Sequence, residues 1–424
     1  MPRRARLRRR SRASWFTNGV NILVAIGGLA FLILIHEAGH FFTALAVKMR
    51  PRRFYIFFPP AVVKWKRKGI EYGIGAIPLG GYVKIPGMHK PAGADVESQL
   101  GPAIDEAPWL AAHVEPVKVA LDEGKLQEAR AGLADLSAAV ERSELSDPAR
   151  KAAERGLSDT DDALADDAYW RAPVWKRVTV IAAGPLTNLL FAIVCLAVVF
   201  MLGVPSKVDP TIAKVDPGTP AATILQPGDK VVSVNGQDVT GEQISEKIRG
   251  SNGDPVSLTI ERGGKELTVE ARPRMIEGAY RLGFTLGIIY ESYGPWEALK
   301  LAGERTWEAT SAIGASLGRI VTGEGRKDVA SPVGIVQASS ETLEAGFREY
   351  LGILALISLS LALLNLLPLL PLDGGHIAFS LAEGVRGRAI PRAAYERASM
   401  IGIVIVLFLF FIGLTNDVNR IRGG

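Results

Sequence analysis

Cysteine is almost absent: Cys195 is the single one in 424 residues. No intrachain disulfide can form, so the redox compartment cannot be read from the sequence. A lone cysteine inside an apolar stretch reads as a small buried hydrophobe, not as a nucleophile. Charge is nearly missing from four stretches, residues 20–47, 178–204, 351–372 and 401–414. The first three reach the roughly 20 residues that cross a bilayer, and the fourth does so with its small and polar flanks. This excludes an ordinary soluble enzyme, although the apolar fraction of 48% and mean hydropathy of +0.18 are unexceptional. No nucleic-acid motif is visible, and the net charge of +5 comes largely from clusters beside the apolar stretches, which suits anionic headgroups.

The chain therefore reads as a polytopic α-helical membrane protein of about four transmembrane helices with non-membrane parts between them. The arginine-rich residues 1–19 precede an apolar run too long for a signal peptide and without a small-residue cleavage site, so 20–47 is taken as a real first span. Residues 48–90 hold a basic loop, then a glycine-punctuated segment, 69–84, which reads as a short hairpin or looped strand. Residues 91–170 carry 18 acids against 7 bases. In them Leu126, Ala129, Leu133, Leu136 and Val140 recur at helical spacing, so this is an acidic helical insert, read as a solvated spacer. The second span is 174–204. Residues 205–290 are β-rich, their short β-branched runs separated by turn signals such as Asn235-Gly236 and Gly263-Gly264. An amphipathic helical linker (291–345), a third span broken by prolines (346–376) and a fourth span (396–416) complete the order. Basic residues divide almost evenly between the two sides of the spans, so charge alone does not orient the chain.

Chemistry concentrates in His36-Glu37-Ala38-Gly39-His40. On a helix, positions i and i+4 share one face, so both imidazoles can reach one metal ion, with Glu37 placed as general base. Ionisable groups inside an otherwise uncharged span are costly and by default mark function. A catalytic zinc wants a third protein ligand and an open position. The candidate is Asp373, between the proline-broken third span and the paired glycines Gly374-Gly375, with His376 as the rival.

With these motifs in order, the sequence resembles the site-2 protease family of intramembrane zinc metalloproteases, in its bacterial regulator-of-sigma-E protease branch. The resemblance rests on residues 36–40, 69–84, Ala183-Gly184-Pro185-Leu186-Thr187-Asn188, and 365–375. It implies Zn2+ held by His36, His40 and Asp373, Glu37 as general base, and Asn365 at the substrate backbone. It also implies a membrane re-entrant β-loop over 69–84 that takes the substrate as an added strand, with Gly73, Ile74, Gly75 and Ala76 as its contact residues. Asn188, in a Gly-Pro-x-x-Asn element, has two equal readings, a packing or strand-supporting position or a helix–helix polar contact. Residues 205–290 resemble one inserted PDZ-like module, with Leu282, Gly283 and Phe284 as a peptide-binding loop for C-termini.

The implied function is cleavage of transmembrane segments of single-span membrane proteins, with anti-sigma factors or remnant signal peptides as substrates. The implied location is a bacterial cytoplasmic membrane, multi-pass, with the PDZ-like module on the extracytoplasmic side. Two alternatives from other classes are a non-catalytic PDZ membrane scaffold, for which Glu37 would be dispensable, and a membrane zinc protease of a different class, which would take its third ligand elsewhere.

Overall fold

The computed structural model describes residues 3–276, 278–322, 325–326 and 329–423. The chain divides into two compact units, one of residues 1–195 with 303–424, the other of residues 196–302.

The larger unit begins with helix α1 (Arg3–Ala46), whose 19–46 portion is apolar enough to cross a membrane. In lipid every backbone N–H and C=O must be satisfied within the segment, and a helix does this for so apolar a run. Next come β1 (Arg53–Arg67) and β2 (Ile70–Lys84). The sequence reading made a hairpin of 69–84 alone and left 53–67 as a basic loop. The structure corrects this: Phe54, Tyr55, Ile56, Phe58, Val62, Val63 and Trp65 make β1 a strand in spite of its cations. The pairing is antiparallel overall but doubly folded. Arg53–Ile56 lie between two partners, residues 71–74 on one side and 81–84 on the other, while residues 61–67 flank 70–75.

The insert forms α2 (Gly93–Glu106), α3 (Ala111–Asp122), α4 (Leu126–Arg142) and α5 (Asp147–Leu164). Their apolar faces, among them Leu100, Leu110, Val117, Leu133, Leu136 and Leu157, close one core. The segment is therefore a packed helical body and more than a solvated spacer. Helix α6 (Val174–Leu202) is the second membrane-length helix.

The smaller unit holds β3 (Val204–Val215), β4 (Lys230–Val234), β5 (Gln237–Asp238), α7 (Gly241–Gly250), β6 (Val256–Arg262), β7 (Lys265–Ala271), the short pair β8 (Arg274–Ile276) and β9 (Ala279–Arg281), and β10 (Phe284–Glu291). Its main sheet runs β10-β3-β4-β6-β7, with β5 paired to β4. Asn235 and Gly236 both have positive φ, 52° and 74°, the turn that the twist of a tight hairpin demands between β4 and β5. Ile212, Val231, Ile244, Ile248, Leu258 and Ile260 fill the core between sheet and helix.

The chain then continues through α8 (Pro295–Thr322), with Trp296 and Trp307 exposed, and α9 (Pro332–Ala345). Helices α10 (Phe347–Asn365), α11 (Asp373–Arg386) and α12 (Arg392–Gly423) close the larger unit, and α10 and α12 are the third and fourth helices of membrane length. The expected third span over 346–376 is not one helix. Pro368 and Pro371 cannot donate backbone hydrogen bonds, so α10 stops at Asn365 and Asp373 opens a separate helix.

Candidate metal centre

Helical spacing puts His36 and His40 on one face of α1, their rings 4.8 Å apart between centroids and nearly perpendicular. Both are buried, and their Nε2 atoms lie 3.2 Å from each other. Asp373, in the first turn of α11, brings Oδ2 to 3.1 Å from His36 Nε2 and 3.4 Å from His40 Nε2. Three donor atoms thus converge, all within 4.8 Å of one another. Asp373 Oδ2 is buried and has no hydrogen bond of good geometry. A buried carboxylate oxygen left this way is costly unless a cation takes it up. Two imidazole nitrogens and one carboxylate oxygen are the three protein ligands that suit a catalytic zinc with a position left open.

The outer nitrogens of the two rings are also held. His40 Nδ1 donates to the carbonyl of Val180 on α6 at 2.9 Å, which turns Nε2 towards the site. Asn188, fully buried on the same helix, lies with its amide 3.4 Å from His36 Nδ1. If His36 Nε2 binds metal, Nδ1 carries the proton and needs an acceptor. Asn188 Oδ1 is buried without a partner, and a half-turn of the amide presents it to that proton. Of the two sequence readings of Asn188, the contact seen is the helix–helix one, from α6 to α1, and it falls on a candidate metal ligand. The sequence signal for it was the Gly-Pro-x-x-Asn element of residues 184–188.

Small residues make the crossing of α1 and α6 possible. A Cβ on Gly184 would overlap the rings of His40 and His36, and one on Gly39 would overlap the Ala183 carbonyl and the Thr187 hydroxyl. Gly81 of β2 sits directly against the Glu37 side chain, with no room for a Cβ. The rival ligand His376 lies outside the cluster, its ring stacked on Tyr395.

Within β2 it is Gly81 that lies against Glu37, and the expected substrate-contact residues 73–76 come earlier in the same strand. Gly73 and Ile74 are paired on both sides, to Tyr55 and Lys64 and to Ile56 and Val63, so they present no free edge. Gly75 pairs with Ala61, and Ala76 follows it in β2. Among the described residues, 81–84 pair on one side only, with Arg53–Ile56. Asn365 ends α10, half-buried, seven residues before the α11 N-cap at Leu372. In the smaller unit, Gly283 and Phe284 border a groove of about 500 Å³ together with Ile248 and Arg249 of α7. The Leu282 side chain is buried in the core, so only its backbone can border that groove.

Two histidines a turn apart, a distant carboxylate and an intervening glutamate, set among membrane-length helices, define a zinc-peptidase type of site. The chain belongs to peptidase family M50, the site-2 protease family, whose model matches residues 24–409. The zinc metalloprotease RasP of Geobacillus kaustophilus is 30% identical, over 95% of this chain and 97% of its own length. A relative in Agrobacterium fabrum, provisionally named a zinc metalloprotease, is 28% identical over 93% of this chain and 94% of its own. Among solved structures, the PDZ domain of an SdrC-like protein from Listeria monocytogenes matches 20% of this chain and 90% of its own length, at 23% identity and a TM-score of 0.17.

Proposed function

We propose that this chain is a zinc endopeptidase that cleaves single-span bacterial membrane proteins within or near their spans. The observation that carries the reading is the convergence of His36, His40 and Asp373 beside Glu37 inside an apolar helix bundle. His36, His40 and Asp373 would hold zinc, which when bound would supply the Lewis acidity that acidifies water and polarises a scissile carbonyl. Glu37 takes the proton from the attacking water and returns it to the leaving amine. Val180 and Asn188 keep the Nε2 atoms of His40 and His36 aimed at the site throughout.

A transmembrane helix hides its peptide bonds, so a substrate must be unwound and held extended before water can attack. The edge at residues 81–84, beside Glu37, suits strand addition, which would replace the lost helical hydrogen bonds. Asn365, before Asp373 in the chain, is assigned to the substrate backbone. In this reading 69–84 is re-entrant in the membrane, and the 196–302 unit is a PDZ-like module on the extracytoplasmic side. It would take peptide C-termini beside Gly283 and Phe284, against the outer strand β10. Anti-sigma factors and remnant signal peptides are the substrate classes assigned.

The test is zinc content together with cleavage of a model single-span substrate in detergent, for wild type and Glu37→Gln. The variant keeps its zinc and loses activity by about 10²–10⁴-fold, the range general acid–base catalysis supplies. Undiminished function in Glu37→Gln would leave the scaffold reading standing, and wild type without zinc would end the protease reading.

A further inference from the structure

The acidic insert is joined to the strand beside Glu37 by a compact set of ion pairs. Asp162, on α5 and only 7% exposed, spends each carboxylate oxygen on a different strand end. Oδ1 accepts from Arg52 Nε at 3.0 Å, and Oδ2 pairs with Lys84 Nζ at 2.8 Å. Arg52 and Lys84 are themselves neighbours across the mouth of the sheet, with the Arg52 amide donating to the Lys84 carbonyl at 2.7 Å. A second carboxylate reinforces each cation. Asp167 takes both terminal nitrogens of Arg52 at 3.0 Å and also accepts from the Arg50 amide, while Asp159 takes Lys84 at 2.9 Å.

The backbone is tied at the same place. The amides of Tyr169 and Trp170, just after α5, donate to the carbonyls of Pro86 and Gly87, just after β2. Lys84 stands three residues from Gly81, the residue that touches Glu37. The path from insert to general base is therefore short and made of one strand, and a strand transmits a shift of its end along its length.

We propose that the helical insert is a positioning element for proteolysis: through Asp162 and its neighbours it clamps Arg52 and Lys84, and so holds the 81–84 edge against Glu37. The proposal rests on the reading of Glu37 as general base. Its physical content is that an extended substrate can add to this edge only where the edge lies, so the clamp sets the distance between scissile carbonyl and base. A misplacement of about 1 Å at a reacting centre can cost of the order of 10²-fold in rate. The clamp acts on the strand and touches no substrate, so Asp162 is a positioning residue and not a catalytic one.

The experiment uses the full chain in detergent, with Lys84→Met, Asp162→Asn and, as a control on the exposed face of α4, Glu141→Gln. Two readouts are taken: amide hydrogen exchange, and steady-state cleavage of a single-span substrate. Lys84→Met removes both clamp contacts of the edge strand without altering the insert itself. Exchange over 81–85 should then rise by about tenfold while residues 126–142 keep their protection. The kcat should fall roughly tenfold or more, with KM within about twofold and zinc content unchanged. Asp162→Asn should show the same pattern more weakly, since Asp159 and Asp167 remain, and Glu141→Gln should show none of it.

Unchanged exchange and kcat in both clamp variants would overturn the proposal. So would a loss of protection spread equally over 126–142, which would mean that the insert is merely unfolding. Exchange needs no substrate, so it decides the clamp even if wild type failed to cleave, a failure that would count against the protease reading alone.

Discussion

Two aspartates, the buried Asp229 and the half-buried Asp373, one in each unit, have opposite surroundings. Asp229 in the β-rich unit is fully provided for: Arg262 donates to both its oxygens at 2.7 Å, and the Gln226 amide adds a third bond at 2.7 Å. Asp373 Oδ2 stands 3.1 and 3.4 Å from two imidazoles that are themselves candidate ligands, and among the described residues it has no hydrogen bond of good geometry. The same side chain thus serves as a structural tie where its charge is answered within the chain, and is suited to be a cation seat where it is not. The count of satisfied lone pairs separates them.

The contrast can be broken most forcefully at Asp373. Asp373→Ala should reduce bound zinc and cleavage to background, measured by metal analysis and substrate turnover, while the 196–302 unit keeps its exchange protection. Zinc retained in Asp373→Ala would transfer the third-ligand role to another group.

A smaller effect is expected one bond further out, at Asn188→Leu. Loss of the acceptor for His36 Nδ1–H should weaken zinc affinity by about 10–100-fold, read by competition with a chelator. Unaltered affinity would return Asn188 to helix packing.

The smallest effect belongs to Asp229→Asn. The Arg262 guanidinium, opposed by partial burial and aided by the Gln226 amide, holds the Asp229 carboxyl below its ordinary range. A carboxyl whose folded pKa is depressed contributes stability that is present above its unfolded value, about 3.9, and lost as pH falls through the lower folded value. At pH 7 the variant should lose about 1–3 kcal/mol of local stability over β4 and β6, measured by hydrogen exchange. The gap between variant and wild type should narrow as pH drops below about 4. Zinc content should not change.

The convergence of His36, His40 and Asp373 as candidate metal ligands was legible because its signal is local: a pentad on one helix, then an acid between proline and paired glycine in a second apolar region. The four membrane-length helices were legible for a similar reason, since a run of apolar residues needs no partner to be recognised. Register was not. Whether Gly73 or Gly81 offers the open edge depends on which strands flank each, and β1, with its many cations, hid its strand character behind its charge. The clamp at Asp162 was out of reach for another reason: its partner Arg52 lies 110 residues earlier, and no periodicity couples them. Asn188 stood between two readings until its amide could be placed opposite His36.

The break between α10 and α11 has a consequence for folding as well as for chemistry. Asp373 does not ride on the third span but opens a helix of its own, while His36 and His40 belong to the first. A metal ion taken by all three is then a cross-link between the opening and closing portions of the chain, shutting a loop that spans the insert and the β-rich unit. Such a link lowers the entropy of the open chain, so the ion that serves the chemistry would also fasten the helix bundle.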